Sequence, residues 1–155
     1  MLITNARVIN EGKQFDADVL IVGERIERIA PQISCPAGHA VYDAKGRTLI
    51  PGMIDDQVHF REPGLTHKGN LATESAAAVA GGITSVFDMP NNNPTITTRA
   101  RLAEKYAMAA GRMHSNYAFY FGAANDNAEE VARLQPDEAC AVKVLMAAST
   151  GNMLV

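Results

Sequence analysis

The chain has 155 residues, 47% of them hydrophobic and 20% charged, with no tryptophan and a formal charge of −3. This balance describes a globular chain with a real core and excludes a fibrous or disordered one. The mildly acidic charge excludes a broad basic field for nucleic acid or an anionic membrane. The two cysteines, Cys35 and Cys140, are far apart and outside any C-x-x-C pair, so they read as idle thiols in a reducing compartment. Asn5 and Arg7 interrupt any apolar leader early, and no run approaches the ~18 apolar residues of a membrane span. The expectation is a soluble, cytoplasmic protein without nucleic-acid or membrane partners.

In chain order, residues 1–50 read as all-β. Leu2-Ile3, Val8-Ile9, Val19 to Val22, Ile26 to Ile29 and Arg47 to Ile50 are short strand-like runs. Asn10 to Lys13 is a turn, and Gly23-Glu24 is a two-residue hairpin loop with glycine at its first central position. The pattern changes after Pro51-Gly52. Met53–Phe60 reads as a strand, Asn70–Ala80 as a helix with Leu71, Ala78 and Val79 on one side, and Thr84–Met89 as a strand. Thr98 caps a helix running to about Met113, with Leu102, Tyr106, Ala109 and Met113 at helical spacing. Asn116–Phe121 is a strand, Asn127–Leu134 a short helix, and Ala139–Ala147 a last strand. Such β-α alternation implies parallel strands joined by right-handed crossovers. Length alone leaves a small complete sheet and half of a (β/α)8 barrel, which needs about 250 residues, both open.

In either architecture the site lies at the C-terminal ends of the parallel strands. The first ends D-D-Q-V-H-F-R, so Asp55, Gln57, His59 and Arg61 share one face by strand periodicity. Those polar groups are expensive to bury without a purpose. With Ile54, Val58 and Phe60 opposite, a central strand with a polar inward end fits better than a solvated edge strand. Asn91, Asn92 and Asn93 lie between two prolines, where asparagine tolerates unusual backbone angles; one of them can contact a substrate amide beside Arg61. Lys143, inside A-V-K-V-L-M, reads as a lysine in a buried strand. Burial would favour its neutral amine, able to form a Schiff base or to take up CO2 as a carbamate. His67 and His114 read as a loop and a helix-end residue without a metal role.

Three ordered segments resemble the dihydroorotase branch of the cyclic amidohydrolases, alongside hydantoinases and allantoinases. They are P-G-M-I-D-D-Q-V-H-F-R-E-P-G, A-A-A-V-A-G-G-I-T-S-V-F-D-M-P-N and V-K-V-L-M-A-A-S-T-G-N. The resemblance implies an α/β chain with a β-sandwich segment over 1–50 and the first half of a (β/α)8 barrel, about four strands, over 51–155. It implies that His59 is a metal ligand, that Lys143 is the carbamylated lysine of a centre that binds one or two zinc ions, and that Asp55 stands behind the metal ligands. Arg61 and Asn91 would bind the substrate, dihydroorotate or a related cyclic ureide. The full-length enzyme is expected to form a homo-oligomer.

Two departures from the family pattern matter. Gln57 occupies the position of a metal-binding histidine, and an amide oxygen is a weaker zinc ligand than imidazole. The family's later histidines and its general-base aspartate have no counterpart here. The expectation is therefore a dihydroorotase-like chain that is incomplete and inactive alone. The alternatives are a hydantoinase or allantoinase, and a non-catalytic scaffold partner of aspartate carbamoyltransferase.

Overall fold

The computed structural model describes residues 1–148 and 153–155. The chain separates into two compact units, Met1–Pro51 and Gly52–Val155.

The first unit is a mixed sheet of β1 (Leu2–Asn10), β2 (Lys13–Val22), β3 (Arg25–Ala30), β4 (Val41–Asp43) and β5 (Thr48–Leu49). The order is β3-β2-β1-β4, with β5 also on β1. The hairpins β1–β2 and β2–β3 are antiparallel, whereas β4 and β5 run parallel to β1. Gly23 has φ 58 between the paired ends Val22 and Arg25, the left-handed geometry that a side chain resists at this turn position. Leu2-Ile3 and Val8-Ile9 belong to one continuous strand, broken in register where Asn5 adopts φ 55. Ile3, Ala6, Val8, Ala17, Val19 and Ala44 form the main core. Ile26 and Ile29 are exposed on the edge strand β3.

The second unit alternates β6 (Met53–Val58), α1 (Leu71–Ala80), β7 (Ile83–Asp88), α2 (Arg99–Ala109), β8 (Asn116–Phe119), β9 (Phe121–Gly122), α3 (Ala128–Ala132) and β10 (Val142–Lys143). The strands β6-β7-β8 pair in parallel, and β9 pairs in parallel with β10. Asn70 begins α1 with a capping box: its side chain accepts from Ala72 and Thr73, and the Thr73 hydroxyl receives the Asn70 N–H. Leu71 and Ser75 are the buried face of α1, with Ala78 against the core; Val79, at the margin of that face, is 41% exposed. Helix α2 stops at Ala109, where Ala110 leaves helical geometry and Gly111 takes φ 71, although Met113 still packs on the core. That core contains Phe60, Leu71, Val86, Ile96, Leu102, Ala109, Phe119 and Phe121. Each of its large side chains contributes about 1.5–3 kcal/mol by leaving water.

Three strand expectations need correction. Strand β6 is an edge strand among the described residues, paired with β7 alone, and Ile54 is 67% exposed. It ends at Val58 because the next backbone donor, Phe60 N–H, turns to the Asp88 carboxylate instead of the ladder. The last strand covers two residues of the expected nine. Val142, Val144 and Met146 are exposed there, so the apolar run A-V-K-V-L-M is not a buried strand. No helix among the described residues is long and apolar enough to cross a membrane.

Candidate active-site mouth

The segments that follow β6, β7 and β10 meet in one cavity of about 270 Å³. It is lined by Gln57, His59, Arg61, Met89, Pro90, Asn91, Lys143 and Leu145. Gln57, His59 and Arg61 all line it, Gln57 from β6 and the other two from the loop that follows Val58, where the left-handed turn at Arg61 replaces strand alternation. Asp55 is not on the wall. Its carboxylate accepts the backbone N–H of Gln57 at 3.0 Å.

Arg61 takes the left-handed conformation, φ 70. For a non-glycine residue this costs on the order of 1 kcal/mol, so the surroundings must hold it. Its carbonyl accepts from Leu65 N–H at 3.0 Å, and the preceding Phe60 N–H is tied to Asp88 Oδ1 at 3.0 Å. At Gly64, φ 80, a Cβ would run into the backbone carbonyl of Asn93, so the loops after β6 and β7 touch where only glycine fits.

The three asparagines separate in role. Asn91 lines the cavity, Asn92 is buried and turned away from it, and Asn93 is exposed. Asn92 donates to the Glu62 carbonyl at 3.2 Å and accepts from Lys105 at 2.8 Å.

Burial pushes the His59 imidazole below its ordinary pKa, and the Arg61 charge pushes the same way. Asp88 and the Asn91 hydrogen bond oppose that shift without overcoming it. His59 is thus held toward its neutral form, which can donate a lone pair. Lys143 is half-buried on the rim, not enclosed in a strand. The enclosed lysine is Lys105 on α2, 0% exposed and 2.8 Å from Asp88 Oδ2, which is 1% exposed. Its side chain also donates to Met89 O at 3.2 Å and lies 4.6 Å from the Phe119 ring centre. The sequence reading missed this pair. The available signal was that Lys105 falls between Leu102 and Ala109 on the apolar stripe of α2.

Glu62 fastens the loop after β6. Its carboxylate takes a bidentate pair from Arg112 at 3.0 Å each and the Leu71 N–H at 3.0 Å, at the start of α1. Burial pushes its pKa up, but the Arg112 and Leu71 donors outweigh burial and hold it below the ordinary 4.5. A carboxyl depressed in the folded state contributes stability above its unfolded pKa and loses it as pH falls through the folded value. Glu62→Gln should therefore lower stability near neutral pH by a small amount, since Arg112 is well exposed. The deficit should vanish below the folded pKa; a deficit constant across an acid titration of the unfolding midpoint would contradict this origin.

His67 and His114 are both exposed, and neither lines the mouth. Among the described residues no group of three His, Cys, Asp or Glu side chains could hold a metal ion. Gln57, His59 and Lys143 are the mouth's candidate donors. One imidazole, one weak amide and one amine do not complete a zinc set as they stand.

A family model described as dihydro-orotase-like matches residues 46–142, well over half of the chain. The chain is similar to the dihydroorotase of Streptococcus pyogenes serotype M1, 46% identical over 112 residues, covering 71% of this chain and 26% of that protein. It is 40% identical over 116 residues to the dihydroorotase of Pediococcus pentosaceus, covering 74% of this chain and 27% of the relative. Among solved structures it resembles the L-hydantoinase (dihydropyrimidinase) of Arthrobacter aurescens, with a TM-score of 0.92, 28% identity, and coverage of 99% of this chain and 34% of that one. The dihydropyrimidinase of Brevibacillus agri NCHU1002 gives a TM-score of 0.83, 30% identity, and coverage of 99% and 34%. The chain thus spans about a quarter of these curated relatives and about a third of these solved chains. Matched over most of Gly52–Val155, the chain belongs to the dihydro-orotase-like family of cyclic amidohydrolases.

Proposed function

We propose that this chain is the N-terminal part of a dihydroorotase-type (β/α)8 metallohydrolase of the cytoplasm, preceded by a segment of its β-sandwich. The whole enzyme would reversibly hydrolyse the cyclic amide of dihydroorotate to N-carbamoyl-aspartate in pyrimidine biosynthesis. The observation that carries this reading is the convergence of Gln57, His59, Arg61, Asn91 and Lys143 on one cavity at strand ends. Arg61 would grip the substrate carboxylate with its planar fork, and Asn91 would hold the ureide amide. His59 and a carbamylated Lys143 would be ligands in a zinc centre, with Asp55 steadying Gln57 through its backbone N–H. Zinc would supply Lewis-acid polarisation of the amide carbonyl. The remaining donors and the general-base aspartate would come from a part of the barrel this chain does not contain.

The purified chain should therefore open no dihydroorotate ring, with or without added zinc; clean zinc-dependent turnover would refute the incomplete-site reading. Gln57→His should raise zinc affinity by about tenfold or more by restoring an imidazole beside His59. No gain in zinc retained after gel filtration would favour a non-catalytic scaffold, the partner of aspartate carbamoyltransferase considered above.

A second reading, hydantoinase or dihydropyrimidinase, is favoured by the names of the structural relatives. Hydantoin, dihydrouracil and allantoin rings carry no carboxylate for Arg61 to pair with. A guanidinium on the cavity wall fits an acidic ring better.

A further inference from the structure

We infer that the buried Asp88–Lys105 pair is a positioning element that sets two of the three backbone segments presenting the mouth residues, those after β6 and β7. This rests on the mouth being the functional site, as proposed above. Asp88 closes β7, and Lys105 reaches it from α2. Asp88 Oδ1 accepts Phe60 N–H at 3.0 Å, and Phe60 lies between His59 and Arg61. The Asp88 backbone carbonyl accepts Tyr120 N–H at 3.0 Å, so the same residue is anchored to the next strand end. Lys105 donates to Met89 O at 3.2 Å and Asn92 Oδ1 at 2.8 Å, on both sides of Asn91. Asn92 in turn donates to Glu62 O at 3.2 Å, just past Arg61. Nζ stands 2.8 Å from Asp88 Oδ2, and the other hydrogen bonds of the pair go outward to two of the mouth segments.

A buried ion pair is a weak device for stability alone, because apolar residues of similar volume commonly serve as well. What they cannot do is bond a left-handed segment and its neighbour to one rigid point. Arg61 needs such a point, because its φ of 70 is unfavourable without support.

The double variant Asp88→Leu/Lys105→Met removes both charges together, keeping net charge and leaving no unpaired ion. Asp88→Asn/Lys105→Met also removes both charges but retains an acceptor for Phe60 N–H. Amide hydrogen exchange on the full 155-residue chain separates them. In the first variant, protection at residues 59–64 and 89–93 should fall about tenfold or more, with β8 and α2 changed far less. The second should recover protection at Phe60 but not at Asn92. Dihydroorotate affinity, measured by calorimetry on the same proteins, should fall with the loss at residues 59–64. Uniform loss of protection throughout Gly52–Val155, failure of both doubles to fold, or undiminished mouth protection would each overturn the inference. Undiminished affinity in a double variant with released loops would overturn it too. If the unaltered chain binds no dihydroorotate yet shows the localised exchange pattern, the positioning stands and the substrate reading falls.

Discussion

Lys105→Met should destabilise Gly52–Val155 by about 3–5 kcal/mol, as much as truncating a buried core aromatic. The magnitude follows from burial on both sides of the pair, 0% and 1% exposed. Removing the ammonium leaves the Asp88 carboxylate charged, dry and without its counter-ion. It also strands Met89 O and Asn92 Oδ1, which lose their donor. The cation over the Phe119 face contributes a smaller part. Burial lowers the Lys105 pKa and Asp88 opposes that lowering, so the ammonium depends on its partner. Removing Asp88 alone should therefore be damaging as well. Removing both members should recover most of the loss, because no charge then remains unpaired. Urea unfolding followed by the helical circular-dichroism band reads this directly, since all three helices among the described residues lie in Gly52–Val155. A single-variant cost below about 1 kcal/mol, in the range of exposed ion pairs, would mean that water reaches the pair.

The same pair marks where sequence reasoning reached its limit. The β-α alternation was legible because the first two helices begin with local chemistry, Asn70 with Thr73 and Thr98 with Arg101, whereas the end of α2 was not, since the apolar spacing runs on to Met113 past Gly111. The spacing of two led to the expectation that Gln57, His59 and Arg61 lie together, and they do line one cavity, although the strand stops at Val58 and a left-handed turn at Arg61, not strand alternation, forms the last part of the wall. Burial was not legible in the same way. V-K-V-L-M is apolar, yet it lies on an uncovered strand, so Lys143 reaches the rim and its apolar neighbours meet water. R-L-A-E-K-Y looks polar, yet Lys105 is enclosed because its helical position aims it at Asp88 under the mouth. Sequence pattern reports a residue's own preference; the partner 17 positions earlier in the chain is supplied by the fold. The separate fates of the three asparagines have the same origin, since Asn92 is held by Lys105 and by the Glu62 carbonyl, partners that the fold supplies.

Arg61→Ala should weaken dihydroorotate binding by about 1.5–3 kcal/mol, roughly ten- to a hundredfold in Kd, because a charge-assisted bidentate contact is lost. Arg61→Lys should recover only part of it, as an ammonium offers a point charge and no fork. Binding of dihydrouracil, the same ring without a carboxylate, should be nearly indifferent to both changes. The backbone makes a third variant informative. Arginine at φ 70 holds an unfavourable conformation that glycine adopts freely. Arg61→Gly should abolish the carboxylate contact while leaving the fold as stable, or more stable by up to about 1 kcal/mol, after the added freedom of the unfolded chain is counted. A residue kept in strain on a cavity wall, where glycine would be easier, is then retained for what its guanidinium binds. Calorimetry with the two rings decides the matter. Equal losses for dihydroorotate and dihydrouracil would assign Arg61 to the shape of the mouth, and tighter binding of the neutral ring by the unaltered chain would move the protein to the dihydropyrimidinase side of its family.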